Sequence, residues 1–365
     1  MPDNDIEVKL NKIRTLLNRK GISGIILSTK KNFMWLTGGR NNDVVKNIET
    51  TLVYLLVNKN TKYLISWASD KNRIMQEELN DLGFELLTYE WYNQSFLDAI
   101  KKLNITGNIG ADFSVNGLVN IESELSILRT ELTDYEIEKI KILCQEFSKI
   151  LTDFCFKLKP HLTEKEIAAN FNYYCAGHNI NLPVLLVGSD ERIFKYRHPV
   201  ATDKKVDKYI LFGTVAERDG LNASLTRSVY FGKTPDELVK RQNAVNYMEA
   251  FYWHQLKVGA NLKDIFNLGK DMYEKLDFKD EYKKHTQGGL VAYTAREIYA
   301  DEIHDCFLKE NNLMGWNPTV PGAKAEDMIL IKKDKIEQLS IDKRWTYQNI
   351  VIENKEYLKP LILEI

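Results

Sequence analysis

The spacing of the apolar residues changes near Leu128, and this change limits the possible folds more than any other feature of the sequence. Before it, short apolar runs alternate with helical patterns, which predicts a small α/β layer domain over residues 1–127. The helical patterns cover 6–18, 69–82 and 95–103, and the strand-like runs cover 21–28, 51–57, 62–66, 84–89 and 109–113.

Beyond Leu128, long helices with clear start signals predict a second domain over residues 128–365. Thr133 with Glu136 and Thr163 with Glu166 have the capping-box spacing, in which each side chain bonds the backbone N–H of the other. Further helices are predicted at 235–257 and 262–276, and strands at 183–187, 208–212, 224–231, 289–298 and 327–332. Helices on one side of a curved, mainly antiparallel sheet give an α+β fold class.

The composition is that of an ordinary globular protein, with 50 Lys+Arg against 51 Asp+Glu. No basic block suits a phosphate backbone, so a nucleic-acid partner is not expected. The apolar runs are much shorter than the roughly 20 residues that span a bilayer, so no membrane partner is expected. The polar start MPDNDIEVKL and four scattered cysteines favour a reduced, cytoplasmic protein.

Several phrases, in this order, resemble the creatinase, prolidase and aminopeptidase P superfamily. NFMWLTG (32–38) resembles a segment of its N-terminal domain, and LRTELTDYEIEKIK (128–141) resembles the start of its catalytic domain. The resemblance implies a creatinase-type N-terminal domain, a catalytic domain with the pita-bread fold, and a homodimer.

Metal-dependent members of this superfamily hold two divalent ions with two aspartates, one histidine and two glutamates, because such cations need several anionic ligands. The resemblance locates these five positions in the chain at Gly213, Ser224, His285, Asn317 and Glu326. Three carboxylates of four are therefore missing. We expect no metal and no other cofactor.

Creatinase has the same fold and works without a metal, with a histidine as general base and acid. Its H-N-P-V-T phrase resembles RHPVAT (197–202) here, which makes His198 the first catalytic candidate. A histidine can take a proton from water and return it to a departing nitrogen. The predicted catalytic residues are His198, His285 and Glu326.

Charged residues in apolar strands must be paired or face a cavity, because an unpaired buried ion is costly. Such residues either line a pocket or form an internal salt bridge. Asn317 and Trp316 are expected at the former metal cavity, and Arg40 lies where creatinase dimers pass an arginine into the partner's site. The predicted substrate-binding residues are Arg227, Arg296, Glu297, Trp316, Asn317 and Arg40.

These features predict a metal-independent hydrolase that splits a C–N bond in a small polar molecule, an amide, amidine or related compound. One alternative is an aminopeptidase P or prolidase-type metallopeptidase whose ligands lie elsewhere in the sequence. The other is a non-catalytic pseudo-peptidase that keeps the pocket for binding.

Overall fold

A computed structural model describes residues 2–365 of the chain, which form two compact units. The first contains the residues up to Arg129 together with 133–136 and 219–221, and the second contains 130–132, 137–218 and 222–365. The division into domains at 127/128, as independently folding pieces, stays a prediction.

The first unit is built on one mixed sheet of six strands in the order β4-β3-β2-β1-β5-β6. β1 is buried along its whole length, as the apolar run GIILS predicts. The strands are β1 (Gly24–Thr29), β2 (Thr50–Asn58), β3 (Lys62–Ser66), β4 (Glu85–Thr88), β5 (Ile109–Ala111) and β6 (Val119–Asn120). The helices are α1 (Pro2–Lys20), α2 (Lys30–Thr37), α3 (Lys71–Arg73), α4 (Phe96–Lys101) and α5 (Glu122–Arg129).

The prediction of one regular α-helix over 69–82 is wrong. α3 is short and widens into a π-helical turn over Ile74–Glu78, closed by a hydrogen bond of 2.8 Å from the Leu79 N–H to the Ile74 carbonyl. Ile74 and Leu79 are both buried. Because the wider turn brings residues five apart to the same face, it buries both side chains where a regular α-helix would separate them.

The helices of the second half start largely where the sequence predicts. The Thr133 N–H donates to Glu136 at 2.8 Å, and Thr163 and Glu166 form the second capping box. These bonds satisfy N–H groups that the first helical turn leaves without partners. The helices are α6 (Asp134–Cys155), α7 (Glu164–Ala176), α8 (Glu191–Lys195), α9 (Asp236–His254) and α10 (Leu262–Lys275), with a 3₁₀ turn at Glu281–Lys284.

The second unit contains a five-stranded antiparallel sheet, β11-β10-β12-β15-β16, and a four-stranded sheet, β19-β9-β8-β7. Two shorter sheets pair β13 with β14 and β17 with β18. The strands are β7 (Asn181–Ser189), β8 (Tyr209–Arg218), β9 (Leu221–Tyr230), β10 (Gly288–Val291), β11 (Ile298–Tyr299), β12 (Leu313–Trp316), β13 (Thr319–Val320), β14 (Ala323–Lys324), β15 (Asp327–Ile331), β16 (Ile336–Gln338), β17 (Tyr347–Ile352), β18 (Lys355–Pro360) and β19 (Leu363–Glu364).

The single strand predicted over 289–298 is wrong, because the chain turns back on itself there. β10 ends at Val291 and β11 begins at Ile298, and the Glu297 N–H donates to the Leu290 carbonyl at 2.7 Å. Arg296 therefore lies on a turn instead of inside a strand.

Antiparallel register brings three separate segments of the sequence together. Trp316 pairs with both Gly288 and Asp327 across the sheet. Asn317 and Glu326, which directly adjoin these pairs, and His285, three residues before Gly288, therefore lie near one edge of the sheet. The α+β class predicted from the sequence is confirmed.

Candidate functional site

Two histidines predicted as catalytic are in direct contact. The Nε2 atoms of His198 and His285 lie 2.9 Å apart. His285 Nδ1 lies 2.5 Å from the carbonyl oxygen of Thr286, which can only accept a hydrogen bond. We therefore assign the His285 proton to Nδ1, so its Nε2 accepts from the Nε2–H of His198.

A buried carboxylate fixes the segment that carries His198. Glu164 accepts hydrogen bonds from the N–H and Oγ of Ser189, both at 2.8 Å, and from the Thr202 N–H at 2.9 Å. It also pairs with Arg192 at 2.6 Å. Glu164 thus ties together the two ends of the stretch from β7 to Thr202, within which His198 lies.

An ion pair joins the two histidine-bearing segments. Arg197, beside His198, pairs with Glu281, which opens the 3₁₀ turn that ends just before His285. On the other side of His285, Gln287 donates to its carbonyl at 2.7 Å and accepts from Tyr273 at 2.8 Å. These bonds hold the two rings in their contact.

The third predicted catalytic residue, Glu326, lies between two cations. Its Oε1 lies 2.8 Å from Arg296, and its Oε2 lies 3.1 Å from the Lys324 ammonium. All three side chains are almost fully buried, with exposed fractions of 5% for Glu326 and 7% for each cation. Thr226 adds a contact of 3.3 Å to Oε2.

These neighbours set the protonation states of the site. Burial alone would raise the pKa of Glu326, but Lys324 and Arg296 lower it to about 2. Burial, the charge of Lys324 and the neighbouring His198 lower the pKa of His285 to about 3. Partial burial and Lys324 also lower the pKa of His198, with Glu326 opposing them. Glu326 is therefore ionised near neutral pH and both histidines are neutral.

The positions that lack the expected aspartates lie beside the same two cations. A Cβ atom on Gly213 would lie 3.9 Å from Lys324 Nζ. Ser224 Oγ lies 3.4 Å from a terminal nitrogen of Arg296. An ammonium and a guanidinium thus occupy the surroundings of positions 213 and 224.

Two predicted substrate-binding residues, Trp316 and Asn317, lie close to Glu326. Trp316 pairs with Asp327, the residue after Glu326, and Asn317 directly follows Trp316. The Asn317 N–H donates to the Gln287 carbonyl at 2.9 Å, and its Oδ1 is buried with no hydrogen-bond partner among residues 2–365. Trp316 is completely buried and stacks on Tyr252, with ring centroids 4.0 Å apart.

The other predicted substrate-binding residues have partners elsewhere. Arg227 is buried in an ion pair of 2.8 Å with Asp327. Glu297 accepts from the Tyr293 N–H at 3.0 Å. Arg40, in the first unit, pairs with Asp81 at 2.8 Å. Their roles in substrate binding stay predictions.

Comparison with known families covers both halves of the chain. The family model for the Creatinase/Prolidase N-terminal domain matches residues 9–138, and the model for Metallopeptidase family M24 matches residues 138–333. The chain belongs to metallopeptidase family M24. This membership confirms the superfamily predicted from the sequence and places the chain among hydrolases of C–N bonds.

Individual M24 relatives are distant in sequence. An uncharacterized peptidase of Staphylococcus saprophyticus is 23% identical over 240 residues, 62% of this chain and 67% of the relative. One from Staphylococcus aureus strain MW2 is 21% identical over 358 residues, 91% of this chain and 98% of the relative. The crystal structure of an X-Pro aminopeptidase from Thermotoga maritima has a TM-score of 0.75 at 19% identity, covering 98% of this chain and all of that one. This likeness, with the two family matches, confirms the predicted two-domain fold.

The residues of this M24 site do not fit a pair of divalent metal ions. Within residues 2–365, no three His, Cys, Asp or Glu side chains converge as a set of metal ligands. A cation near Glu326 would meet Lys324 and Arg296, whose positive charges repel it. Metal binding also needs several anionic oxygens or neutral nitrogens that are free to coordinate.

Sequence reasoning missed Lys324 and Glu164. Lys324 stands two residues before Glu326 in the phrase AKAED, where alternation with two alanines could have indicated a side chain facing the same way as Glu326. Glu164 lies at the first turn of a predicted helix, where acidic residues are common for reasons of local stability alone. Nothing local to Glu164 distinguishes it.

Proposed function

We propose that this M24 protein is a metal-independent hydrolase that splits a C–N bond in a small polar substrate, with His198 moving the proton. The observation that carries the proposal is the pairing of Glu326 with Lys324 and Arg296. Because these side chains neutralise the retained carboxylate, they favour chemistry by groups other than metal-bound water. His198 is the neutral base, and it contacts His285.

The contact between the histidines supports a definite proton path. His198 Nε2–H donates to His285, which leaves the lone pair of His198 Nδ1 to accept a proton from water. The water oxygen forms a bond to the substrate carbon as its O–H bond breaks. The C–N bond then breaks, and Nδ1 returns the proton to the leaving nitrogen. His285 orients the base, and Arg296 and Glu326 orient the substrate.

Relatives of known fold favour a peptide or related amide as substrate. The solved structures that this chain resembles include an X-Pro aminopeptidase and an Xaa-Pro dipeptidase from Bacillus anthracis. Both names describe cleavage of a C–N bond in a peptide. A metal-dependent peptidase remains the second candidate at the family level.

The test combines a chelator with a substitution. Purified protein, with and without 1,10-phenanthroline, is assayed against a library of dipeptides, N-acyl amino acids and amidines, alongside His198→Ala. We expect turnover to survive the chelator and kcat/KM to fall roughly 10²–10⁴-fold in His198→Ala. His304→Ala is the matched control, because that ring pairs with the partly exposed Asp301 and not with His198 or His285.

Three outcomes decide among the candidates. Activity that the chelator abolishes and a divalent ion restores would support the metallopeptidase. Full activity in His198→Ala would exclude the proposed base. No turnover of any compound, with ligand-induced thermal stabilisation, would favour the non-catalytic pseudo-peptidase.

A cytoplasmic homodimer acting on a small molecule completes the proposal. The free state of Cys144, Cys155, Cys175 and Cys306 supports a reducing compartment. Among the helices of residues 2–365, none is long and apolar enough to cross a membrane. Light scattering coupled to size exclusion tests the dimer.

A further inference from the structure

The centre of the site has an excess of positive charge. Lys324 and Arg296 carry two positive charges against the single negative charge of Glu326. An M24 site that holds metal ions has the opposite polarity, since its carboxylates attract cations. We propose that the cluster of Lys324, Arg296 and Glu326 binds the carboxylate of an anionic substrate, which rests on the proposed function and names its substrate class.

The buried charges around Asp327 do not offset this excess. The adjacent acidic residue, Asp327, is 2.8 Å from Arg227 and 3.8 Å from Lys359. Glu249 is paired with Lys359 as well. This second buried cluster contains as many basic as acidic side chains, and burial raises the pKa of Glu249 to about 8. The cluster therefore has no surplus of negative charge that would offset Lys324 and Arg296.

Arg296 and Lys324 also carry more N–H donors than residues 2–365 supply acceptors for them. Arg296 offers five N–H groups, and its acceptors in residues 2–365 are the Ala295 carbonyl, Ser224 Oγ and Glu326 Oε1. Its Nε is buried without any partner there. Lys324 offers three N–H groups, and its ion-pair partner is Glu326. A buried donor without an acceptor is costly.

A carboxylate suits these donors better than other ligands. Its two oxygens lie in one plane and match the fork of a guanidinium, while the ammonium of Lys324 adds a point charge. A cationic guanidino or amino ligand would meet two like charges. The strand register places Gly288 beside Trp316 and Trp316 beside Asp327. The His285 segment, whose ring contacts His198, therefore enters the sheet near Glu326, so a bound carboxylate would lie near the base. The substrate is then a small amide with a carboxylate close to its C–N bond, such as an N-acyl amino acid or a dipeptide.

The experiment measures binding apart from turnover. Isothermal titration of His198→Ala protein compares three small amides that differ in charge: N-acetylglycine, N-acetylglycinamide and N-acetylethylenediamine. We expect N-acetylglycine, the anion, to bind at least about tenfold more tightly than the neutral and cationic probes. Addition of Lys324→Met should remove this preference, while Lys165→Met should keep it because Lys165 is a surface residue with an exposed fraction of 59%.

A second variant guards against loss of folding in Lys324→Met. Gly213→Asp adds a carboxylate beside Lys324, and the added Cβ has only ordinary contacts, the nearest at 3.6 Å to Leu186. We expect Gly213→Asp to fold and to lose the preference for N-acetylglycine, because the new carboxylate forms an ion pair with the Lys324 ammonium.

Each result decides the inference separately from the function. Equal binding of the three probes, preference for the cation, no binding of N-acetylglycine, or retained preference in both variants would each overturn it. Anion-selective binding without turnover of any amide would uphold the carboxylate site while refuting the hydrolase. Turnover of neutral amides without any preference for the anionic probe would uphold the hydrolase while refuting the carboxylate site.

Discussion

At the scale of single residues, Lys324 determines the electrostatics of the site. It neutralises Glu326 and lowers the pKa of both His198 and His285. The sequence indicated that carboxylates were missing at positions 213, 224 and 317, because family phrases mark those positions. It could not indicate which groups took their place, since the approach of Lys324 to Gly213 depends on pairing between distant strands.

Glu164 should contribute strongly to stability as the acceptor that holds the His198 segment. Glu164→Gln replaces one buried oxygen with an NH₂ group that faces donors. We expect the free energy of unfolding to fall by about 2–4 kcal/mol, because buried donors and Arg192 lose a charged acceptor. Urea denaturation measures the change.

Glu166 on the same helix provides the matched control. It completes the exposed capping box of α7 and contacts only Thr163 among the hydrogen-bond partners that the structure shows for its side chain. Glu166→Gln should therefore destabilise less than Glu164→Gln. An equal effect of the two substitutions would contradict the role given to Glu164.

At the scale of elements, Asp190 joins the end of β7 to the start of β8. Its carboxylate accepts from the backbone N–H groups of Asp207, Lys208 and Tyr209, each at 2.9 Å. Its φ of 49° lies in a region that favours glycine, so these bonds hold a strained backbone. The turn before α8, and with it the segment of His198, depends on this side chain.

This arrangement predicts a pH-dependent stability. Burial alone would raise the pKa of Asp190, but the backbone donors at Asp207, Tyr209 and Lys208 lower it overall. Because the pKa of Asp190 is lower in the folded state, its ionised carboxylate stabilises the protein fully at pH values above the unfolded pKa of about 3.9. This stabilisation is lost as the pH falls through the folded-state pKa. Asp190→Asn should cost about 1–3 kcal/mol near pH 7.

The pH series gives the sign of the effect. Urea denaturation from pH 7 to pH 3 should show the difference between wild type and Asp190→Asn shrinking at the acidic end. Asp203→Asn, whose side chain is 83% exposed, serves as control and should track wild type throughout. A difference that grows in acid would refute the depressed pKa.

Elements with explicit local signals were predictable, and those without them were not. The capping boxes at Thr133 and Thr163 marked their helices correctly because the signal is local. The turn between β10 and β11 has the sequence AYTARE, without glycine, proline, asparagine or aspartate, so nothing marks the reversal. Tertiary burial of Ile74 and Leu79 produced the π turn, which the apolar spacing did not distinguish from an α-helix.

At the scale of the whole molecule, the first compact unit includes residues 133–136, which lie beyond the predicted boundary at 127/128. Glu136 pairs with Lys9 at 2.8 Å, and both side chains are buried. A fragment of residues 1–127 lacks Glu136 and so loses its ion pair with the buried Lys9 ammonium, while a fragment of residues 1–138 keeps that ion pair. Fold class was predictable from order and spacing along the chain, but such a pairing across 127 residues was not.

The two fragments therefore test the boundary. We expect 1–138 to show a higher melting temperature than 1–127, because the shorter fragment lacks Glu136, one of two carboxylates paired with the buried Lys9 ammonium, and keeps the other, Asp5. Circular dichroism on both fragments measures it. Equal stability of the two would show that Glu136 is dispensable and that the division at 127/128 is sufficient.

Metal content tests most directly whether Lys324 and Arg296 have replaced the metal ions of the M24 family. The full-length protein is incubated with manganese, cobalt or zinc, desalted, and measured by inductively coupled plasma mass spectrometry. We predict less than about one-tenth of an equivalent per chain, because one ionised carboxylate between two cations cannot hold a divalent pair. Two equivalents retained through desalting would contradict the replacement and restore the metallopeptidase.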